Sequence, residues 1–555
     1  MPTEPPWQRT HLAVPRADER LLAVPGFDET AEAAQANARL FDGCEIDIQG
    51  RPLHRLRDWT RSETVRLAKE FTSDRLNDVL AEADPTLPLV VAGHQPALYH
   101  PGVWAKNFAA AGIARRIAGA VLNLVVDNDI YSRPAIDAPA GTREEPRREA
   151  IAFDRVQRPR PWEGASIDDA ALFASFGDRT TAHMRRWKID PLIGRHWHRA
   201  VDELRRGGTL PECLTAVRHD VEAAWNLHNL ELPMRALCES EPFLWFAGHL
   251  LAQLPAFSEI YNGALDEYRG LYRIKSRNHP VPALEVRDEW FEAPFWVWHD
   301  EAPHRRRVFA KQSGKQTTLA DDTGHVFAVL PLSPAMDACC AVEVLRTLPS
   351  QGVRFRTRAL TTTLFARLFL ADTFVHGIGG AKYDELTDRI IARFFGIAPP
   401  AFSTVSASLF LPFAEPFDVT RDDERRLVTL LRDLEQNPQR HLEASSQSDP
   451  ELARLLREKA DLIAEQDKSG SAQGLSKRQR RERSSDNGRR FARLRQITTE
   501  LSSRLDHQRD RAREELTGVR RRLKANQVLA SREFSFALYP EEKLRGFLSV
   551  LRGES

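Results

Sequence analysis

The sequence predicts an α/β fold, a parallel-sheet core that carries a long antiparallel helical arm of coiled-coil-like character. Two apolar runs, residues 87–92 (LPLVVA) and 120–126 (AVLNLVV), flank a helical stretch, and each is followed by a polar loop. Strand, loop, helix, strand and acidic loop is the order of a parallel βαβ unit. After Pro416 the composition changes: residues 421–530 are highly charged, poor in aromatics and rich in Leu, Arg, Glu and Gln. Their leucines are spaced for helices that pack on one another. Of 555 residues, 42% are hydrophobic and 28% charged, ample for a buried core.

Residues 1–85 read as a helical N-terminal segment. A helix is expected at 30–41 (TAEAAQANARLF), rich in strong helix formers. A second fits 61–83, where Val65, Leu67, Phe71, Leu76 and Val79 share a face. The core spans 86–415, with a connecting region inserted at 150–330. Its first helix follows Pro101-Gly102 and runs through Trp104, Phe108, Ile113 and Ile117. Further helices fit 215–230, 242–268, 334–348, 361–370 and 382–395, the last ending at Gly396; the 334–348 helix would bury Cys339 and Cys340. Strands fit the aromatic run 290–298 (WFEAPFWVW), 326–332 and 353–358. The arm, 416–530, reads as two long helices with stripes Leu427, Leu430, Leu431, Leu434; Leu452, Leu455, Leu456, Ile463; and Leu494, Ile497, Leu501, Leu505. A Ser- and Gly-rich loop is expected between them at 468–488. Residues 531–555 regain Phe, Tyr and Pro and return to the core.

Lys+Arg 79 against Asp+Glu 78 leaves a net charge of +1, which argues against a protein that is basic throughout and against nucleic acid as its partner. The local basic run 477–495 reads as part of a solvated loop. Five cysteines (Cys44, Cys213, Cys238, Cys339, Cys340) contain no CxxC pair, which speaks against a disulfide framework or a cysteine-rich zinc module. His196 and His198 lack a third ligand at metal spacing, so no metal site is read. The start, MPTEPPWQRT, lacks a secretory pattern, and no run approaches about 18 apolar residues. A cytoplasmic protein with no membrane partner is expected.

Three constellations carry the chemistry. The first is Gly93-His94-Gln95-Pro96 with His100, Lys106 and Asn107. A glycine after a strand permits a sharp turn, and a helix N-terminus behind it suits an anionic group. The second is Asp127-Asn128-Asp129, whose carboxylates could orient or deprotonate an amine. The third joins Arg356 and Arg358 to His376, Gly377, Gly379, Gly380 and Tyr383, a glycine bend with groups for an anion. In parallel sheets ligands sit beyond the carboxyl ends of the strands. The three segments are therefore expected around one cleft, with Asp127, Asp129 and His94 as the catalytic candidates.

The order of these blocks resembles that of the cysteine-adding enzymes of bacillithiol biosynthesis. That family opens its core with a strand and a Gly-Gln-Gln loop, here Gly93-His94-Gln95. Its next strand ends in Glu-Asp-His-Asp, here Val126-Asp127-Asn128-Asp129. An Arg-containing strand and a Gly-rich, Tyr-containing segment follow, here Arg356 or Arg358 and residues 376–383; then come a helical arm and a return with Tyr539-Pro540. The resemblance implies a Rossmann-like core related to nucleotidylyltransferases, a connecting domain and an arm that forms a homodimer. It also implies a ligase that adds cysteine to the amine of a glucosaminyl-malate. The chain departs from the family pattern at His94, Val126, Asn128 and Gly380.

A ligase or group-transfer enzyme acting on a small anionic substrate is thus the leading expectation. The cofactor is left open: ATP or ADP would fit the need for an activated acyl group, although no Walker motif is present. The alternative is a non-catalytic scaffold or binding protein with a vestigial pocket and a helical dimerisation arm.

Overall fold

Six strands make the central sheet, in the spatial order Arg20–Val24, Ser403–Ser408, Thr373–His376, Leu89–His94, Ala120–Val125 and Leu230–Pro233. The last five run parallel and the first is an antiparallel edge. The computed structural model describes residues 12–79, 83–131, 133–442, 449–468 and 477–553. Side chains alternate across a strand, and the two faces of this sheet differ in kind. Val90, Ala92, Val121, Val375 and Val405 pack against small residues of two helices, Ala31 and Ala34 of Phe27–Phe41 and Ala109, Ala110 and Ile113 of Pro101–Arg116. Leu89, Val91, Leu122, Leu124, Leu230, Leu232 and Phe374 join the larger Leu- and Phe-rich core on the other face. Apolar side chains on both faces are what a buried parallel sheet requires.

A second, antiparallel sheet has the order Val326–Pro331, Gln316–Asp321, Ala302–Ser313, Trp290–His299, Val353–Thr357, with Val286–Arg287 beside Trp290–His299. The strand expected at 353–358 therefore pairs with the aromatic strand, Phe295 opposite Thr357, and stands outside the parallel sheet.

Several expected boundaries shift. The helix expected at 61–83 is Leu53–Leu76, and residues 80–82 lie outside the described residues. The single helix at 242–268 is two, Glu241–Ala252 and Leu254–Tyr272, and the one at 215–230 is Leu210–Ala224. The expected glycine loop at 376–380 is a strand end followed by the first turn of helix Ile378–Ile390, with Gly377 as N-cap. Helix Cys339–Thr347 begins later than expected, and both of its cysteines are exposed.

Helix Leu53–Leu76 is tied to the sheet by a clamp. Arg57 and Arg61, one turn apart, hold the Asp372 carboxylate at 2.7 and 2.9 Å. Their remaining N–H groups donate to the carbonyls of Leu368, Leu370, Ala371, Pro85 and Leu87. Asn37 adds bonds to the carbonyls of Asp372 and Ala401, both 2.7 Å.

The chain divides into two compact units: Met1–Pro139, Arg148–Phe413 and Ser531–Ser555 in one, Ala140–Arg147 and Ala414–Ala530 in the other. The second contains helices Arg421–Gln436, Gln439–Leu442, Pro450–Lys468, Lys477–Ser503 and Asp506–Leu529. Two long helices were expected; breaks near Pro438 and at Leu505 make more. Thr420 opens the first with a capping box, its N–H donating to Asp423 Oδ2 at 2.9 Å. Most of the leucine stripes form the interior: Leu434, Leu452, Leu455, Ile497, Leu501 and Leu505 share one cluster, and Leu427, Leu516 and Val519 another, whereas Ile463 of the second stripe is exposed. Residues 469–476 of the expected loop lie outside the described residues. Residues 477–488 are helical, so the basic run is helix rather than loop. Among the described residues, no helix is long and apolar enough to cross a membrane.

Candidate functional site

A cleft of about 260 Å³ opens beyond the strand Ala120–Val125. Its polar lining includes Asn128, Asp129, Arg305 and Arg358, and its walls include Val126, Tyr261, Pro294, Trp296 and Leu360. Asp129 accepts from Arg305 Nη1 at 2.9 Å and from the Gln95 amide. Arg305 and Arg358 lie over the Trp296 ring, 5.0 and 4.3 Å from its centre. Arg358 donates to Glu292 Oε1 at 2.6 Å. Asn128 donates to the Thr357 carbonyl at 3.0 Å, which fixes the acidic loop against the antiparallel sheet. The result is a pair of guanidinium groups against one aromatic ring, with a partly exposed carboxylate beside them. Such a site receives an anionic group at the arginines and a cationic or hydrogen-bonding group at Asp129.

The three expected segments thus meet only in part. Gln95, Asn128, Asp129 and Arg358 come together. His94, Asp127, Arg356, His376 and the glycines do not line this cleft, and each has a physical reason.

Gly93 and His94 still belong to the strand, paired with Leu124 and Val125. A Cβ on Gly93 would make only ordinary contacts, the nearest Leu124 at 3.5 Å, so no sharp turn demands the glycine. His94 turns inward: Nε2 lies 3.1 Å from Asn107 Oδ1 and 3.0 Å from the Tyr99 hydroxyl. Burial, with Lys106 and Arg218 nearby, pushes it down to about 3, so the ring is neutral. Lys106 donates to the Gly93 carbonyl at 2.7 Å, and burial pushes it down to about 8. His100 caps helix Pro101–Arg116, accepting from the Gly102 N–H at 3.1 Å. Its Nε2 faces Glu533 at 3.7 Å and Arg532 at 3.5 Å.

Asn107 leads into a buried ionic network. It donates to Glu222 Oε1 at 2.7 Å, as Trp104 does at 2.5 Å. Arg218 bridges Glu222 and Glu231, 2.7 Å from each, and Asn123 donates to Glu231 at 3.0 Å. His219 lies 2.9 Å from Asp78 and 3.6 Å from Glu231. Among the described residues, His219, Glu222 and Glu231 are the cluster with metal-ligand atoms within 4.8 Å of one another. The Arg218 guanidinium already supplies the positive charge there, so the donor set needs no ion.

Asp127 is buried. Its Oδ1 accepts from the Arg235 N–H at 3.0 Å, and its Oδ2 has no hydrogen-bond partner. Burial, reinforced by Glu163 and opposed by Arg235, raises it to about 7. Arg356 is buried between Glu163 at 2.9 Å and Glu239 at 2.6 Å. His376 lies 2.9 Å from Asp384, which pairs with Arg367 at 2.7 Å. Gly380 leaves room for that imidazole: an added Cβ would sit 2.8 Å from His376 Nδ1. Gly377 and Gly379 face open space. Tyr383 packs against the main core.

Sequence reasoning missed Arg305, Trp296 and Tyr261. Arg305 begins the triplet Arg305-Arg306-Arg307 in the strand that pairs with the aromatic run, and three consecutive cations there were the available signal. Arginines in a strand beside an aromatic strand need a reason to be there. Comparison with known proteins adds no assignment: no protein-family model matches the chain, and no curated protein matches it.

Proposed function

We propose that the chain is a ligase or group-transfer enzyme that joins an amine to an activated carboxyl group in the cleft of Asp129, Arg305 and Arg358. The observation that carries this reading is the Asp129 carboxylate at the cleft, held by Gln95 and Arg305 beside two arginines on Trp296. The arginines would bind the anionic part of the substrate. The amine would attack the acyl carbon, the C–N bond forming as the bond to the activating group breaks. Asp129 would take the proton released by the amine. A nucleoside triphosphate would activate the acyl group, and the leaving phosphate or nucleotide would carry away the bonding electron pair. The order of sequence blocks shared with the cysteine-adding enzymes of bacillithiol biosynthesis makes cysteine and a glucosaminyl-malate the first pair to try. A homodimer through the helical unit belongs to the same proposal.

The test incubates the protein with ATP, cysteine and glucosaminyl-malate and follows the condensation product by mass spectrometry. Product formation should fall about 100-fold or more in Asp129→Asn and Arg358→Ala. Equal turnover by parent and Asp129→Asn would overturn the assignment. A ligand that raises the Tm of both proteins equally, without turnover, would favour a non-catalytic binding protein.

A further inference from the structure

We propose that the exposed, adjacent thiols of Cys339 and Cys340, with Glu343 one turn on, form a chelating site for a soft divalent cation of the zinc and cadmium class. An exposed free thiol is a chemical liability. The chain buries Cys213 and Cys238, half-buries Cys44, and exposes two cysteines side by side. Consecutive residues of a helix point about 100° apart, yet these two side chains turn toward each other, Sγ to Sγ 3.7 Å. A tetrahedral ion with metal–sulfur bonds of about 2.3 Å needs its two sulfurs about 3.8 Å apart. The thiols already stand at that separation.

The backbone disfavours the alternative, a disulfide. Neighbouring Cα atoms are about 3.8 Å apart across a trans peptide, below the roughly 4.4–6.8 Å that a disulfide spans. Glu343 lies three and four residues ahead, on the same side of the helix. It now pairs with Arg346 at 2.7 Å, and both side chains are more than half exposed. Such a pair is worth little, so its carboxylate is free to turn to an ion. Glu343 and Asp337 place negative charge beside the Cys340 thiol. Those carboxylates draw in cations. The helix is a firm support: Ala341, Val342 and Leu345 are buried, and the Ala338 N–H donates to the Gln49 carbonyl at 3.1 Å. Binding converts two thiols to thiolates and releases two protons to solvent, with no oxidant needed. None of these residues lines the cleft, so this site stands or falls separately from the proposed reaction.

The test titrates the reduced full-length protein with Cd²⁺ and follows sulfur-to-cadmium absorption in the ultraviolet. One ion per chain is expected. Affinity should fall at least about tenfold in Cys339→Ser and in Cys340→Ser, and roughly tenfold in Glu343→Gln, while Cys44→Ser leaves it unchanged. Thermal melts of the two serine variants should match the parent, because both positions are exposed. Undiminished binding in either serine variant, or one ion shared by two chains, would overturn the proposal. So would a Cys339–Cys340 disulfide in the aerobic protein by mass spectrometry.

Discussion

Asp129 and Arg358 line the cleft and Gln95 bonds to Asp129, whereas His94, Asp127 and Arg356, one or two positions away on the same segments, are enclosed by partners from the chain itself. The difference lies in what each side chain meets. Asp129 and Arg305 remain partly exposed, at 38% and 22%. Glu222 and Glu231 have no exposure, and Arg218 has 4%. A charge that keeps water is nearly neutral for stability and available to a ligand. A charge without water is available to nothing outside, and the fold depends on its partners. Polar residues at strand ends are therefore two populations that local sequence does not separate.

The largest expected effect is in the buried region. Arg218→Met leaves Glu222 and Glu231 facing each other without their shared cation. It should cost about 3–5 kcal/mol in urea unfolding; a cost below about 1 kcal/mol would show that the network is not held by that arginine. The next effect is a pH dependence. Burial opposes charge on His219, but its hydrogen bond with Asp78 and the nearby Glu231 carboxylate prevail and raise it to about 9. The folded value lies above the unfolded one of about 6.5. This contribution is therefore complete below pH ~6.5 and is lost as the pH rises through about 9. It amounts to roughly 3 kcal/mol, and His219→Gln should flatten urea midpoints across that window. His94 has the opposite sign. Held neutral by burial, it drains stability as the pH falls below ~6.5, where the unfolded chain takes up the proton.

The cleft should behave otherwise. Asp129→Asn should change unfolding free energy by less than about 1 kcal/mol while lowering turnover about 100-fold or more, which calorimetry and product assay check together. The smallest effects come from two neighbouring glycines. Gly379→Ala, in open space within a helix, should raise stability by about 0.5–1 kcal/mol. Gly380→Ala must displace the His376 ring and should lower it by roughly 1–2 kcal/mol. Thermal melts of the pair measure the contrast directly.

The strands Leu89–His94 and Ala120–Val125 were legible because a short apolar run closed by a turn is a local signal. So were the leucine stripes of the helical unit, which needed only periodicity. The partner of Val353–Thr357 was not legible, because the choice of neighbour is made by Phe295 and Trp296, some sixty residues away in sequence. The edge strand Arg20–Val24 has no buried face to stand out, with Leu21 and Val24 both exposed. His376 drew notice as a ligand candidate because it precedes glycines; Asp384 and Arg367, which engage it, are apparent only once the chain has folded. Asp127 and Asp129 read alike in sequence, and Glu163 and Arg235 make them different.

The clamp on Asp372 bears on how the molecule could be taken apart. Its two guanidinium donors come from residues 57 and 61, and its carboxylate belongs to the segment that starts the strand Thr373–His376. A truncated chain beginning after residue 85 would strand an anion in an oily interior, a defect of several kcal/mol. Helix Leu53–Leu76 is thus a structural keystone, and after a proteolytic nick behind it the two fragments should stay bound to each other.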